Sequence, residues 1–150
     1  VGSETEDEAE QRGEEEAAGQ DRFAVLMFDL DGFKAVNDTR GHLRGDQLLV
    51  EFGEILRGLC RERDLPCRYA GDEFVVVLAE SGVEYAEDYA ARVRAMLERR
   101  SKSWLPLSLT VSVGIATFPS DGRDVRTLLA VADERMYSDK FSRRNASTLG

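Results

Sequence analysis

Histidine and cysteine are nearly missing from this 150-residue chain, which has one histidine, His42, and two cysteines, Cys60 and Cys67. Two thiols at that spacing make no zinc pattern, and with no export signal they are expected to stay reduced. A lone histidine defaults to a turn or packing role. Long apolar runs are missing too: nothing approaches the roughly eighteen residues a membrane span needs. The first twenty residues are acidic rather than basic and apolar, unlike a secretory leader. These absences point to a cytoplasmic domain without membrane contact. Basic excess is also lacking. The formal net charge is −9, so there is no broad cationic face for DNA, and no internal repeat suggests an array.

The acidity is unevenly spread. Residues 1–20 hold eight acids against one arginine, whereas the other 130 residues carry 21 acids and 19 bases. The first segment, rich in Glu, Ala, Gln and Gly, has no apolar face to bury and reads as an acidic tail or linker from an upstream sensor or signalling module. Residues 21–150 read as one globular domain. Residues 23–30 (FAVLMFDL) are an almost unbroken apolar run, the mark of a strand buried on both faces. Residues 33–38 read as a short helix and 40–45 as a glycine-bounded turn. Asp46 then reads as the cap of a long helix on which Leu48, Leu49, Phe52, Ile55, Leu56 and Leu59 recur at threes and fours. A hairpin is predicted over 65–78 with residues 70–73 at its turn. Helical spacing over 84–100, alternation over 107–116, a turn at 119–122 and helical spacing over 125–137 complete the order β-α-α-β-β-α-β-α. That order predicts an α/β fold with a mostly antiparallel central sheet flanked by helices.

Acids gather at two strand ends. Asp29 and Asp31 close the first strand, and Asp72 and Glu73 sit in the hairpin turn. If the strands are neighbours, these carboxylates converge on one rim and repel unless cations neutralise them. Few, hard oxygen donors suit magnesium, whose other positions go to water and phosphate oxygens, and two such ions serve in-line phosphoryl displacement. Read singly, either pair is equally a turn former or helix cap. Lys34 and the N–H groups of Gly32 and Phe33 can face a triphosphate, or Lys34 is an ordinary surface lysine. Lys140 and Arg144 can add charge at a terminal phosphate; with Arg143 they equally fit the cationic end of the last helix. Asn37 and Asp46 offer a guanine-reading pair, because a carboxylate accepts from guanine's ring N–H and amine, and adenine would leave it unpaired.

Four strings, FDLDGFKAVNDTRGHLRGD (28–46), RYAGDEFVVVL (68–78), LTVSVGIA (109–116) and ADERMYSDKFSRRN (132–145), resemble in order and spacing the GGDEF domain of bacterial diguanylate cyclases. The resemblance implies a palm-like nucleotide-cyclase fold and an enzyme that condenses two GTP into cyclic di-GMP with release of two pyrophosphates. It also implies a homodimer with one GTP per protomer and two Mg²⁺ per site, Mn²⁺ being a substitute. By position, Asp29, the Leu30 carbonyl, Asp72 and Glu73 match metal ligands. Asp72 matches the base acting on the 3′-hydroxyl, and Glu73 the second acid. Asn37 and Asp46 match the guanine readers, with His42 in the same loop, and Phe33, Lys34, Lys140 and Arg144 match phosphate contacts. Arg61 and Asp64 fit the RxxD motif that binds the cyclic product as feedback inhibitor, and Arg92 falls where a further arginine joins it. Taken alone, RxxD is also what a solvated helix end looks like.

Two departures from the family pattern bear on function. Ala70 replaces the first signature glycine, giving AGDEF; the added methyl is tolerated at negative φ and strained at positive φ. A DxLTGLxNRR segment, which opens the family's fold, is not found in residues 1–20. The alternative is therefore a catalytically weak domain sensing cyclic di-GMP through Arg61, Asp64 and Arg92, or GTP through Asn37 and Asp46. Asn37 and Asp46 argue against a cyclase for another dinucleotide.

Overall fold

A computed structural model of the chain describes residues 5–8 and 21–149, with side chains to residue 145. The linker expected over residues 1–20 therefore lies mostly outside the described residues. Within it, residues 6–8 are helical, and the Glu8 N–H donates to Thr5 Oγ1 while the Thr5 N–H donates to Glu8 Oε2, a reciprocal cap.

The apolar run forms β1 (Phe23–Asp31). It pairs antiparallel with β3 (Glu73–Ala79) on one side and β4 (Thr110–Phe118) on the other, and β2 (Leu65–Ala70) lies outside β3. The sheet order is β2-β3-β1-β4 with every pairing antiparallel, as expected. Successive side chains of a strand point to opposite faces. Ala24, Leu26, Phe28 and Leu30 therefore enter one core, and Val25 and Met27 another. The first core lies against α2 (His42–Leu59) and α3 (Val83–Arg100), where Phe28 meets Phe52 and Tyr89 edge-on. The second is closed by α4 (Val125–Leu149) through Leu128, Ala132 and Met136. The same alternation sends Asp29 and Asp31 to the α4 face, which fixes where the site is built.

The α4 backbone comes close to the sheet at Gly114 of β4. A methyl there would lie 1.9 Å from the Ala132 carbonyl oxygen and 2.3 Å from the Met136 nitrogen. The glycine interrupting this strand is thus a requirement for backbone contact.

Three boundaries differ from expectation. The turn predicted over 40–45 shrinks to Gly41, whose φ of 86° breaks the chain for one residue between α1 (Phe33–Arg40) and α2. Since α2 begins at His42, Asp46 lies inside the helix instead of at its N-cap. The strand predicted from 107 starts at Thr110, because the Leu107 N–H bonds back to the Trp104 carbonyl at the end of a 3₁₀ turn (Ser101–Trp104). The last helix continues past Tyr137 to Leu149. Among the described residues no helix is long and apolar enough to cross a membrane.

Candidate active site

Asp29 stands opposite Glu73 in the β1–β3 register, and Asp72 precedes Glu73 in a two-residue turn. The Leu30 N–H reaches the Asp72 carbonyl at 3.4 Å, tying the strand end to the turn. This sets the Asp72 carboxyl near enough to Asp29 for the two acids to influence each other. Asp29 is only 5 % exposed. Burial pushes its pKa up, Asp72 adds to the rise, and a 2.6 Å hydrogen bond donated by Lys140 Nζ to Oδ2 offsets only part of it. The other oxygen, Oδ1, is buried without a hydrogen-bond partner. Glu73 is also raised, by burial first and then by the charges of Asp29 and Asp133. Burial works against the charge on Lys140, but its bond to Asp29 together with the charges of Asp29, Asp31 and Asp72 outweighs this and holds its pKa above the ordinary value. Asp31, 4.0 Å from Lys140, accepts from the hydroxyls of Thr110 and Ser112 at 2.9 and 3.0 Å.

A cleft of about 330 Å³ opens beside this rim, and Leu30, Asp72, Phe33, Lys34, Lys140 and Arg144 are among the residues that line it. Gly32, at φ 88°, precedes α1 and offers no side-chain cap. The first N–H groups of α1 therefore have no intrahelical acceptor and sit where an anion would take them. Among the described residues no three acidic, histidine or cysteine side chains gather closely enough to hold a metal alone. Any ion here would take most of its oxygens from backbone, water or substrate. Asp29 Oδ1 is suited to that role: a buried carboxylate oxygen with no donor, next to a second carboxyl, is short of a cation.

The predicted base readers lie apart from this cleft. Asn37 packs its amide against Gly45, whose lack of a side chain makes the room, and leaves Oδ1 buried without a partner. Asp46, the next residue after Gly45, lines a second cleft of about 460 Å³ with Leu49, Gly53 and Arg57. His42 is exposed at the start of α2 and lines neither cleft.

The RxxD pair is arranged unexpectedly. The Asp64 side chain is completely covered and accepts from the Arg61 N–H (2.7 Å), Arg61 Nε and Nη2 (3.0 Å each) and the Ala79 N–H (3.0 Å). Arg61 in turn donates to the Ala79 carbonyl and Ser81 Oγ and lies 4.4 Å over the Tyr85 ring. Arg92 approaches the same ring at 5.8 Å and pairs with Asp88. The structure thus brings Arg61 and Arg92 together on Tyr85, while Asp64 faces inward.

Ala70 ends β2 with φ outside the positive range; the left-handed residue of this turn is Gly71, at φ 52°. Arg68 Nε closes the turn onto the Gly71 carbonyl at 2.9 Å. The methyl at position 70 therefore meets no backbone strain. Sequence reasoning missed Thr110 and Ser112 as holders of Asp31, and Tyr85 as the shared platform. Only the sheet register could have found the hydroxyls, two of the polar positions on β4's alternating pattern.

A family model described as diguanylate cyclase, GGDEF domain, matches residues 4–146. Diguanylate cyclase A of Treponema denticola is 33% identical over 132 residues, covering 87% of this chain and 36% of that protein. The chain spans roughly a third of the length of the curated relatives it matches. Among solved structures, the GGDEF domain of YfiN (TpbB) from Pseudomonas aeruginosa is 34% identical with a TM-score of 0.75, covering 89% of each chain. A microbial GGDEF domain studied for its interaction with cyclic di-GMP is 33% identical with a TM-score of 0.70, covering 87% of this chain and 86% of that one.

Proposed function

Because the chain belongs to the diguanylate cyclase GGDEF domain family, we propose that residues 21–150 condense two GTP into cyclic di-GMP and two pyrophosphates, each protomer of a homodimer presenting one GTP to the other. The observation that carries this is the meeting of Asp29 and Asp72 beside a cleft walled by cations, with Asp29 Oδ1 left without a donor. The donors of this rim, Asp29, Asp72, Glu73 and the Leu30 carbonyl, fit magnesium or manganese. Bound there, two ions would polarise the α-phosphate and lower the pKa of the attacking hydroxyl.

The chain's own side chains then have separable tasks. Lys34, Lys140 and Arg144, with the N–H groups at Phe33 and Lys34, hold the β- and γ-phosphates and keep the leaving pyrophosphate charged. Asp72 accepts the proton of the 3′-hydroxyl presented by the facing protomer, with Glu73 as the second acid of the rim. Asp46 accepts from the guanine ring N–H and amine, and Asn37, its Oδ1 unpaired, completes the reading of the base, with His42 beside them. Facing two such clefts across a two-fold axis aligns each hydroxyl with the other's α-phosphate, which removes the entropy of bringing two nucleotides together.

Arg61 and Arg92, stacked on Tyr85, form a separate cationic face suited to the cyclic product as feedback inhibitor, with Asp64 holding Arg61 in place. That face also supports a second reading, a sensor of cyclic di-GMP without turnover. One assay separates them. Incubated with GTP and Mg²⁺, the chain should form cyclic di-GMP, and Asp72→Asn should abolish it. Binding of cyclic di-GMP without synthesis, even after forced dimerisation, would replace the enzyme by the sensor.

A further inference from the structure

We propose that Arg143 is an additional phosphate-binding residue of the cleft, set in place by Asp139 and, behind it, by Arg94. The proposal rests on reading that cleft as a triphosphate site and names a contact that reading did not include. Arg143 lines both the cleft beside Asp72 and the neighbouring one of about 460 Å³ between α3 and β4; only Thr110 shares that position. It therefore stands at the lip where the two openings join.

Its Nε donates to Asp139 Oδ2 at 3.2 Å, and the same oxygen accepts from Arg94 Nη2 at 2.8 Å and the Val113 N–H at 2.9 Å. These donors come from α4, α3 and β4, so three elements fix one carboxylate. An arginine held by it is placed more firmly than a loose surface pair. A guanidinium has five donors in a planar fork; with Nε on Asp139, the outer nitrogens can still grip a phosphate in two-point fashion, which a lysine could not do while paired. Charge points the same way. One carboxylate serves two guanidiniums, and Asp31, the other acid whose field reaches Arg94, is already shared with Lys140. The lip thus carries positive charge that a phosphate oxygen would balance.

The test is calorimetric binding of GTP and of GMP, each with Mg²⁺, to the full chain and its variants. Arg143→Ala should weaken GTP about tenfold, the size of one charge-assisted contact, and leave GMP unchanged, narrowing the GTP:GMP affinity ratio. Arg143→Lys should restore only part. Asp139→Ala should narrow the ratio about threefold, as for loss of a half-exposed ion pair; an unaltered ratio there would remove Asp139 from the account. Loss of both nucleotides by the same factor in Arg143→Ala would signify general damage, and an unchanged ratio no contact; either overturns the proposal while the cyclase reading stands. A wild-type chain that binds no GTP would overturn both.

Discussion

Replacing Asp64 by alanine should cost the fold about 3 kcal/mol, although the motif it belongs to reads as a ligand contact. The carboxylate is wholly covered and receives four hydrogen bonds, two of them from the backbone N–H groups of Arg61 and Ala79. Stranding a buried donor costs about 1–3 kcal/mol. The Arg61 side chain is 32% exposed and can recover water, so its share is small. Two stranded amides give about 3 kcal/mol, at the lower edge of what breaking a buried pair costs. For a domain of this size that is a fall of roughly 6–12 °C in Tm. The pH dependence follows from the same bonds. Burial alone would raise the Asp64 pKa, but the hydrogen bonds from Arg61 and Ala79 outweigh it and hold the group below its ordinary 3.8. Its stabilisation is therefore fully present above 3.8 and is lost as pH falls through the lower native value. Urea unfolding followed by circular dichroism should show a gap between wild type and Asp64→Ala at pH 7 that closes in acid. A gap under 1 kcal/mol, or one indifferent to pH, would refute the reasoning. If the gap is found, Arg92→Ala becomes the usable probe of product inhibition, because its partner Asp88 is exposed, whereas loss of Asp64 or of Arg61 would confound binding with unfolding.

Three other outcomes are expected. Gly114→Ala drives a methyl into the α4 backbone and should cost about 3 kcal/mol, the upper range for overpacking, with activity falling as Lys140 leaves Asp29; an unchanged Tm would mean α4 does not rest there. Gly45→Ala puts a methyl 1.8 Å from Asn37 Oδ1, so KM for GTP should rise about tenfold with kcat nearly kept, and undiminished preference for GTP over ATP would exclude Asn37 from base reading. Burial and Asp72 hold Asp29 above its ordinary 3.8, so protons should compete with Mg²⁺ as pH is lowered toward that raised value. Calorimetry in buffers of different ionisation enthalpy should register proton release on binding; a proton-neutral isotherm would take Asp29 out of the ligand set.

The parts of this site written in local patterns were readable from the sequence. The apolar run through Asp29 reads as a strand buried on both faces, and the hairpin signal puts Asp72 at a turn; that β1 and β3 are neighbours is added by the sheet. What could not be read depends on distant geometry. Lys140 meets Asp29 across 111 residues of chain, and its signal in the sequence, a basic residue late in a helix, is shared with every cationic helix end. Asp46 reads locally as a cap, yet the helix restarts after a single residue, Gly41, and nothing local says that one positive-φ glycine is the whole turn. Asp64 looked exposed because its burial is supplied by Ala79 and the covering Arg61, fifteen residues away and three residues away respectively. Arg94 and Asp139 sit on different helices, so their pairing had no spacing to announce it.

At the rim this fold works against itself. Two acids away from it are stabilised: Asp121 is held low chiefly by Arg135, and Asp64 low by Arg61 and Ala79 against burial. At Asp29 and Glu73 both native pKa values lie above the ordinary ones, with burial as the first cause. The sign is decisive. A carboxyl raised by folding adds stability only below its unfolded value, and that contribution is gone once pH rises through the native pKa. With their acids ionised these positions therefore oppose folding, and Lys140 relieves only the Oδ2 side of Asp29. A chain selected for stability alone would have set a hydroxyl or amide against Oδ1, as Thr110 and Ser112 are set against Asp31 one pleat away. The same strand thus satisfies one acid and leaves its neighbour wanting a positive charge, which is the difference between a carboxylate that holds a structure and one that waits for a ligand.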